Sequence, residues 1–338
     1  MIARLVITGL LGVATATVAG GAPPLDRFEF SQTEMAVPME LVLYAPDKVS
    51  ATKASEAVFA RLHQLNSIMS DYDAETELSK LSSTSGSGKA IPVSEDLWAV
   101  LTQAKAVSEK SDGAFDVTIG PVVRLWRRAR RQHELPRPDQ IQKAMQSVGY
   151  RAMRLVPEQR AVELLKPGMR LDLGGIGKGY AVGQAMAVLR SHGIASAMFV
   201  AGGDMAVSDP PPGRHGWRIG IAPLEPKQPP SQFLWLSRCA VSTSGDLWQF
   251  VEIGTRRYSH IVDPRTGQAL TDHCSVTLIM ADNTLADAMA KVVAVLGVEK
   301  GLPMIDALPG AAAWVVRAPE GKTLSYQSSR WKELPQAK

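Results

Sequence analysis

Two cysteines, Cys239 and Cys274, are all that the 338 residues contain. That scarcity excludes the dense disulfide framework of small secreted domains. It leaves two readings open: a single bridge in an oxidising compartment, or two small buried hydrophobes in strand-like runs. A strong charge imbalance is also lacking. Against 33 acidic residues there are 37 basic ones, and the formal net charge of +4 selects no polyanionic partner. One dense patch exists, five arginines around Trp126 (Arg124, Arg127, Arg128, Arg130, Arg131). It reads as the solvated face of a helix rather than a nucleic-acid surface, and no nucleic-acid partner is expected. There is no internal repeat. No apolar run is strong enough to predict a stable membrane span. The best, Leu5 to Ala19, is short and rich in Ala, Gly and Thr. With Arg4 before it and Thr17-Val18-Ala19 at its end, it predicts an export signal over residues 1–21. No cysteine follows to suggest a lipoprotein anchor, so an exported, periplasmic protein is expected, either free or tethered.

The standard phosphate-binding signatures are missing too. Leu171-Asp172-Leu173-Gly174-Gly175-Ile176-Gly177-Lys178-Gly179-Tyr180 packs four glycines and a lysine between an apolar and an amphipathic run. A P-loop would need Gly where Asp172 stands and Ser or Thr in place of Gly179. The dinucleotide fingerprint fails because Gly177-x-Gly179 runs on to Val182. The physics of phosphate binding is nonetheless present. Glycines admit close backbone approach, a lysine adds a point charge, and a helix starting there aims its positive end at the same spot. A plain tight turn between strand and helix is the competing reading.

What remains is enough to build a core. Apolar residues make up 45% of the chain. Residues 22–30, with Pro23 and Pro24, read as a linker, and residues 31–330 as one domain. Periodicity predicts strands at Met39–Tyr44, Ala161–Leu165, Met169–Leu173, Ala195–Val200, Trp217–Ile221, Val241–Val251, Thr255–Ile261, Ser275–Met280 and Ala311–Val316. It predicts helices at Lys53–Met69, Ser94–Lys110, Asp139–Val148, Lys178–His192 and Leu285–Leu296. The order is not a regular alternation, so the expected class is α+β, with mainly antiparallel sheets and packed helices.

Seven segments then occur in one order. They are Ser70-Asp71-Tyr72, Gly113-Ala114-Phe115-Asp116, Asp172 to Gly179, Gly202-Gly203-Asp204, Ser242 to Asp246, Ser259 to Gly267 and Leu285-Ala286-Asp287-Ala288. Together they resemble the ApbE family of FAD:protein FMN transferases, over roughly residues 28–317. The resemblance implies an ApbE-like fold and an enzyme that takes FAD, transfers its FMN moiety to a Thr or Ser hydroxyl of a target protein, and releases AMP. Hydrolysis of FAD to FMN and AMP is the alternative activity, and a non-catalytic FAD-binding protein is a third reading. By resemblance, Met35, Tyr72, Ala114, Phe115, Asp116, Asp172, Lys178 and Ile261 take positions that contact FAD, and His260 that of the candidate base. Gly175 and Thr284, through their carbonyls, and Asp287, through its carboxylate, take the positions of Mg²⁺ ligands.

The chain departs from the family pattern at several places. Ala36 stands where Met-Gly-Thr would put glycine, Ala201 replaces an Asn, and Gly183 replaces an Asp. Lys291 stands where a metal-binding Thr is usual, four residues after Asp287 and therefore on the same helix face. An ammonium has no lone pair to offer a metal. Lys291 then either replaces the metal's charge, or turns outward beside a thinner metal site, or marks a site that keeps FAD without catalysis.

Overall fold

A computed structural model describes residues 24–337 apart from 225–227, 231, 248 and 319–321. The export signal expected at residues 1–21 lies outside the described residues. Eight strands form the main sheet: β1 (Asp26–Glu34), β2 (Val37–Ala45), β3 (Ala197–Ala201), β4 (Asp204–Val207), β5 (Cys239–Gly245), β6 (Cys274–Met280), β7 (Ala312–Arg317) and β8 (Leu324–Gln327). They lie side by side in chain order, and every neighbouring pair is antiparallel. The helices and the remaining strands are inserted between adjacent strands, and a short helical turn, Ser329–Glu333, follows β8.

Strand alternation sends each strand's side chains to two different cores. On β2, Met39, Leu41 and Leu43 face the larger core, and Val42 faces the smaller. The larger core is roofed by α1 (Lys48–Met69), α2 (Glu95–Lys110), α4 (Gly177–Ser191) and α5 (Asn283–Asp306). The smaller is closed by the hairpin of Trp217–Gly220 with Phe233–Leu236, and by Trp331. Helix α3 (Gly120–Gln132) belongs to a third cluster, in which Trp126, Ile119 and Val122 pack against Val262 and Ala269. The Trp126 indole N–H donates to the Gly267 carbonyl at 2.9 Å, pinning the 246–273 insertion to α3.

Local chemistry explains the helix limits. Ser94 caps α2 by accepting the Leu97 N–H at 3.2 Å, and Asp47 caps α1 by accepting that of Ser50 at 2.7 Å. Asp96 joins α2 to its neighbours, accepting the Tyr180 hydroxyl at 2.7 Å and the Arg61 guanidinium. Helix α5 breaks at Gly297, where φ is 75°. The apolar run Leu285–Leu296 ends at that break.

Three expectations change. The linker assigned to residues 22–30 is in part strand, because Asp26–Glu34 pairs along its whole length with β2. Met169–Leu173 forms no strand. A single parallel bridge, Ile119 to Arg170, and the Asp172 N–H to Val117 carbonyl bond at 2.8 Å hold it extended beside α3. The two cysteines cannot meet. Cys239 opens β5, while Cys274 lies past the opposite end, where Gly245 pairs with Ser275; both are free thiols. Among the described residues no helix is long and apolar enough to cross a membrane.

The β1–β2 loop has two residues, Met35 and Ala36, with φ of 49° and 61°. Positive φ at both places is what a two-residue primed turn demands, and only glycine meets it without strain. Ala36→Gly is therefore expected to raise stability by about 0.5–1 kcal/mol, read as a higher urea midpoint at unchanged m-value. A lower midpoint would show that the alanine methyl makes a contact worth more than the strain.

Candidate active site

A cleft of about 490 Å³ opens where the insertions converge. The β1–β2 turn, the end of α1, the loop before α3, α3 itself, the glycine turn before α4, the 246–273 insertion and the middle of α5 all contribute to its wall. Met35, Tyr72, Ala114, Phe115, Asp116, Asp172, Lys178, His260, Ile261 and Gly175 all line it. Thr284 and Asp287 do not. They are buried on α5 just behind the wall, and Lys291, one turn further, reaches the cleft.

The glycine turn leads directly into α4, which has no side-chain N-cap. The turn is fixed from behind by Asp287, which is fully buried. One Asp287 oxygen accepts the Gly179 N–H at 2.9 Å, and the other is paired with the Lys291 ammonium. A Cβ on residue 179 would lie 2.3 Å from the Asn283 carbonyl oxygen and 2.6 Å from the Asp287 Cβ. Helices α4 and α5 thus touch backbone to backbone there, and glycine is a packing requirement. Burial opposes ionisation of Asp287, but Lys291, Lys178 and the Gly179 N–H outweigh it and hold its carboxyl below the usual range.

Lys178 points from the first turn of α4 to Asp204, with 3.2 Å between Nζ and Oδ2. The other Asp204 oxygen accepts the Ser242 hydroxyl at 2.6 Å. Burial works against the ammonium, yet Asp204 and Asp287 raise its pKa, so Lys178 stays charged. The Lys291 stem passes over the glycine turn, where its Cγ lies 3.8 Å from the Cβ position of Gly175. The Phe115 ring edge lies 3.1 Å from that same position, so a side chain on Gly175 would crowd both.

His260 faces this group from the 246–273 insertion. Its Nδ1 lies 3.1 Å from the Gln249 carbonyl oxygen. A carbonyl can only accept, so Nδ1 carries the proton and Nε2 is left with its lone pair. Burial, then the charges of Lys291, Arg130 and Lys178, push the His260 pKa down to about 4, while the Gln249 bond opposes the shift. Three cations thus surround a neutral imidazole.

Arg127 divides its guanidinium between Asp71 and Asp172, at 2.7 Å from the latter, and lies 4.5 Å from the centre of the exposed Tyr72 ring. Burial, reinforced by Asp71, pushes the Asp172 carboxyl up, although Arg127 and the Gly174 N–H pull the other way. Arg130 lines the cleft with no hydrogen-bond or ion-pair partner among the described residues. Asp116 turns its carboxylate into its own loop. It accepts the Thr118 N–H at 2.8 Å, the Thr118 hydroxyl at 2.7 Å and the Tyr150 N–H at 2.7 Å, so it shapes the wall on which Ala114 and Phe115 sit. Residues 263–267 make a turn, with the Gly267 N–H donating to the Asp263 carbonyl at 2.8 Å.

Sequence reasoning missed Arg127, Arg130 and Gln249. The arginines had a usable signal. Residues 123, 127 and 130 share one helix face, while 124, 128 and 131 lie a quarter-turn round, opposite the buried Val122, Trp126 and Ala129, so the patch divides into a cleft side and a solvent side. Gln249 acts only through its backbone carbonyl, which no side-chain pattern encodes.

The chain is similar in sequence and fold to known flavin transferases. The chain is 33% identical over 275 residues to the FAD:protein FMN transferase of Treponema pallidum, covering 77% of this chain and 76% of that one. It is 27% identical over 342 residues to the protein of the same name from Haemophilus influenzae, covering 98% and 99%. Among solved structures, the apo flavinyl transferase ApbE of Pseudomonas stutzeri superposes with a TM-score of 0.82 at 25% identity, covering 94% of this chain and 100% of that one. The ApbE protein of Thermotoga maritima gives 0.81 at 26%, covering 92% and 100%. The sequence profile of the ApbE family matches residues 35–315, and the chain belongs to that family.

Proposed function

We propose that this protein transfers the FMN moiety of FAD to a Thr or Ser hydroxyl of an acceptor protein and releases AMP. The observation that carries this reading is the His260 imidazole, neutral and with Nε2 open, among Lys178, Lys291 and Arg130 beside a glycine turn. A base next to so many cations is suited to activating a hydroxyl against a bound diphosphate. Such a reaction depends on placing the partners and neutralising phosphate charge.

His260 Nε2 accepts the proton of the acceptor hydroxyl. The hydroxyl oxygen attacks the FMN-side phosphorus, the phosphorus–oxygen bond to AMP breaks, and its electron pair leaves on the AMP phosphate. Lys178 and the unpartnered Arg130 neutralise the phosphate oxygens, and the N-terminus of α4 adds its backbone dipole. Phe115 and Ile261 give the flavin or adenine an apolar wall, and Tyr72, backed by Arg127, offers an exposed ring for stacking. Mg²⁺ does not fit the residues present. Both oxygens of Asp287 are engaged, one by an N–H and one by an ammonium, and Lys291, where the family pattern has a metal-binding Thr, has no lone pair to offer. We also propose that the protein is exported, on the apolar leader at Leu5–Ala19. N-terminal sequencing of the protein recovered from the periplasm tests this.

The direct test incubates the protein with FAD and a Thr-containing acceptor and follows products by mass spectrometry. An acceptor carrying FMN, together with AMP, supports transfer. FMN and AMP without adduct would replace transfer by hydrolysis. His260→Ala should leave FAD affinity within about twofold and slow transfer by about 10²–10⁴-fold. An equal loss of both would make His260 structural.

In the wild type the acid limb of kcat/KM should fall near the pKa of about 4 rather than at 6.5. The sign for stability follows from the same shift. The unfolded chain binds the His260 proton already near 6.5, so the residue's contribution is complete above that pH and is lost as pH falls toward 4. Lys178→Ala should weaken FAD binding by about 1.5–3 kcal/mol, measured by calorimetry or flavin fluorescence quenching. Unchanged affinity would remove Lys178 from the phosphate site.

A further inference from the structure

The strongest unassigned feature of the cleft is the ion pair one helical turn apart on α5. Asp287 is fully buried, and Lys291 is its i+4 neighbour. The lysine is tied to the same helix, so pairing with the carboxylate requires no binding event from solution. Its stem lies against Gly175, and the residue lines the cleft. The ammonium therefore sits where the glycine turn, the buried carboxylate and the substrate space meet. A divalent cation could reach Asp287 only by expelling that ammonium into a cleft already holding Lys178 and Arg130. It would also have to share the carboxylate with the Gly179 N–H at 2.9 Å.

We propose that the Lys291 ammonium, anchored by Asp287, serves as a built-in cation for the diphosphate of the nucleotide, so that this protein binds and cleaves it without a divalent metal. The inference rests on the phosphoryl-transfer reading of the same cleft. An ammonium has three N–H donors. One is used on Asp287, and two remain for phosphate oxygens. As the phosphorus–oxygen bond to AMP breaks, the electron pair left on the AMP phosphate is met by this charge and by Lys178, while the hydroxyl proton goes to His260. Lys291 is thereby a charge donor to the substrate rather than a metal ligand. Asp287 is the positioning residue that aims it.

The test is made first by binding, on the intact wild-type protein. FAD affinity from calorimetry should agree within about twofold in EDTA and in millimolar Mg²⁺. Mn²⁺ titrated into the protein with and without FAD should show the paramagnetic resonance signal of the free ion throughout. Lys291→Thr should lose at least tenfold in FAD affinity in EDTA and recover most of it with Mg²⁺. Lys291→Met should lose the same amount without recovery. FAD cleavage should follow the same pattern, metal-insensitive in the wild type and Mg²⁺-dependent only in Lys291→Thr. A wild type that takes up Mn²⁺, or whose FAD affinity falls tenfold or more in EDTA, would overturn the inference while leaving the flavin-transfer reading in place. A wild type with no FAD affinity in either buffer would overturn that reading, and this inference with it. The wild-type measurements decide the matter even if either variant fails to fold.

Discussion

The site depends on one buried carboxylate. An isolated charge with no solvent contact would cost several kcal/mol, so Asp287 is tolerable only because its partners are fixed in advance. The Gly179 N–H reaches it because two helices approach backbone to backbone, and that approach is open only to a residue without a Cβ. Lys291 reaches it because the α-helix sets residues four apart on one face. Buried ion pairs contribute little net stability after desolvation. What this one supplies is geometry: it sets where α4 begins, how the glycine turn is held, and where a positive charge meets the cleft. Lys178 follows from the same arrangement, leaving the first turn of α4 between Asp204 and Asp287.

Charge is arranged around that point in balanced pairs with one exception. Lys178 answers Asp204, Lys291 answers Asp287, and Arg127 answers Asp71 and Asp172. Among the described residues Arg130 has no such partner. Pairing keeps these charges tolerable at low dielectric, and Arg130, to which no carboxylate is bonded among the described residues, remains available to an anion. Burial first, and then the same field, keep His260 neutral. A base among cations gives up basicity, but it is never lost to protonation at ordinary pH.

Much of the fold could be read from the chain because hydrophobic period survives wherever an element has one buried face. Met39–Tyr44, Ser94–Lys110 with its Ser94 cap, and Leu285–Leu296 up to the Gly297 break are all visible that way. The reading failed where tertiary context supplies what the sequence lacks. β1 carries exposed polar residues and is a strand because β2 offers it nine partners, not because of its own pattern. In Met169–Leu173 three apolar residues alternate with Arg170 and Asp172 and are buried in the larger core without sheet pairing, and periodicity alone does not distinguish that from a strand. In the cleft, the i,i+4 relation of Asp287 and Lys291 was legible, since helix geometry alone dictates it. The Gln249 carbonyl that sets the His260 tautomer was not, because it depends on how a hairpin folds back.

The architecture explains why the parts come together at all. A sheet whose strands follow chain order lets each loop between neighbours be extended without disturbing the pairing. The cationic turn lies in the insertion between β2 and β3, His260 in that between β5 and β6, and Asp287 with Lys291 in that between β6 and β7. Separate insertions have no built-in register, so His260 must be aligned by contacts outside the sheet. Trp126 provides them. Its ring stacks on Tyr258 with centroids 5.5 Å apart, and its N–H holds the Gly267 carbonyl, bracketing His260 from either side in sequence. The helix that carries Trp126 also carries Arg127 and Arg130, so the contacts that hold the 246–273 insertion also set where His260 stands relative to those two guanidinium groups. The shape of the cleft is therefore a property of the third, smallest apolar cluster as much as of the sheet beneath it.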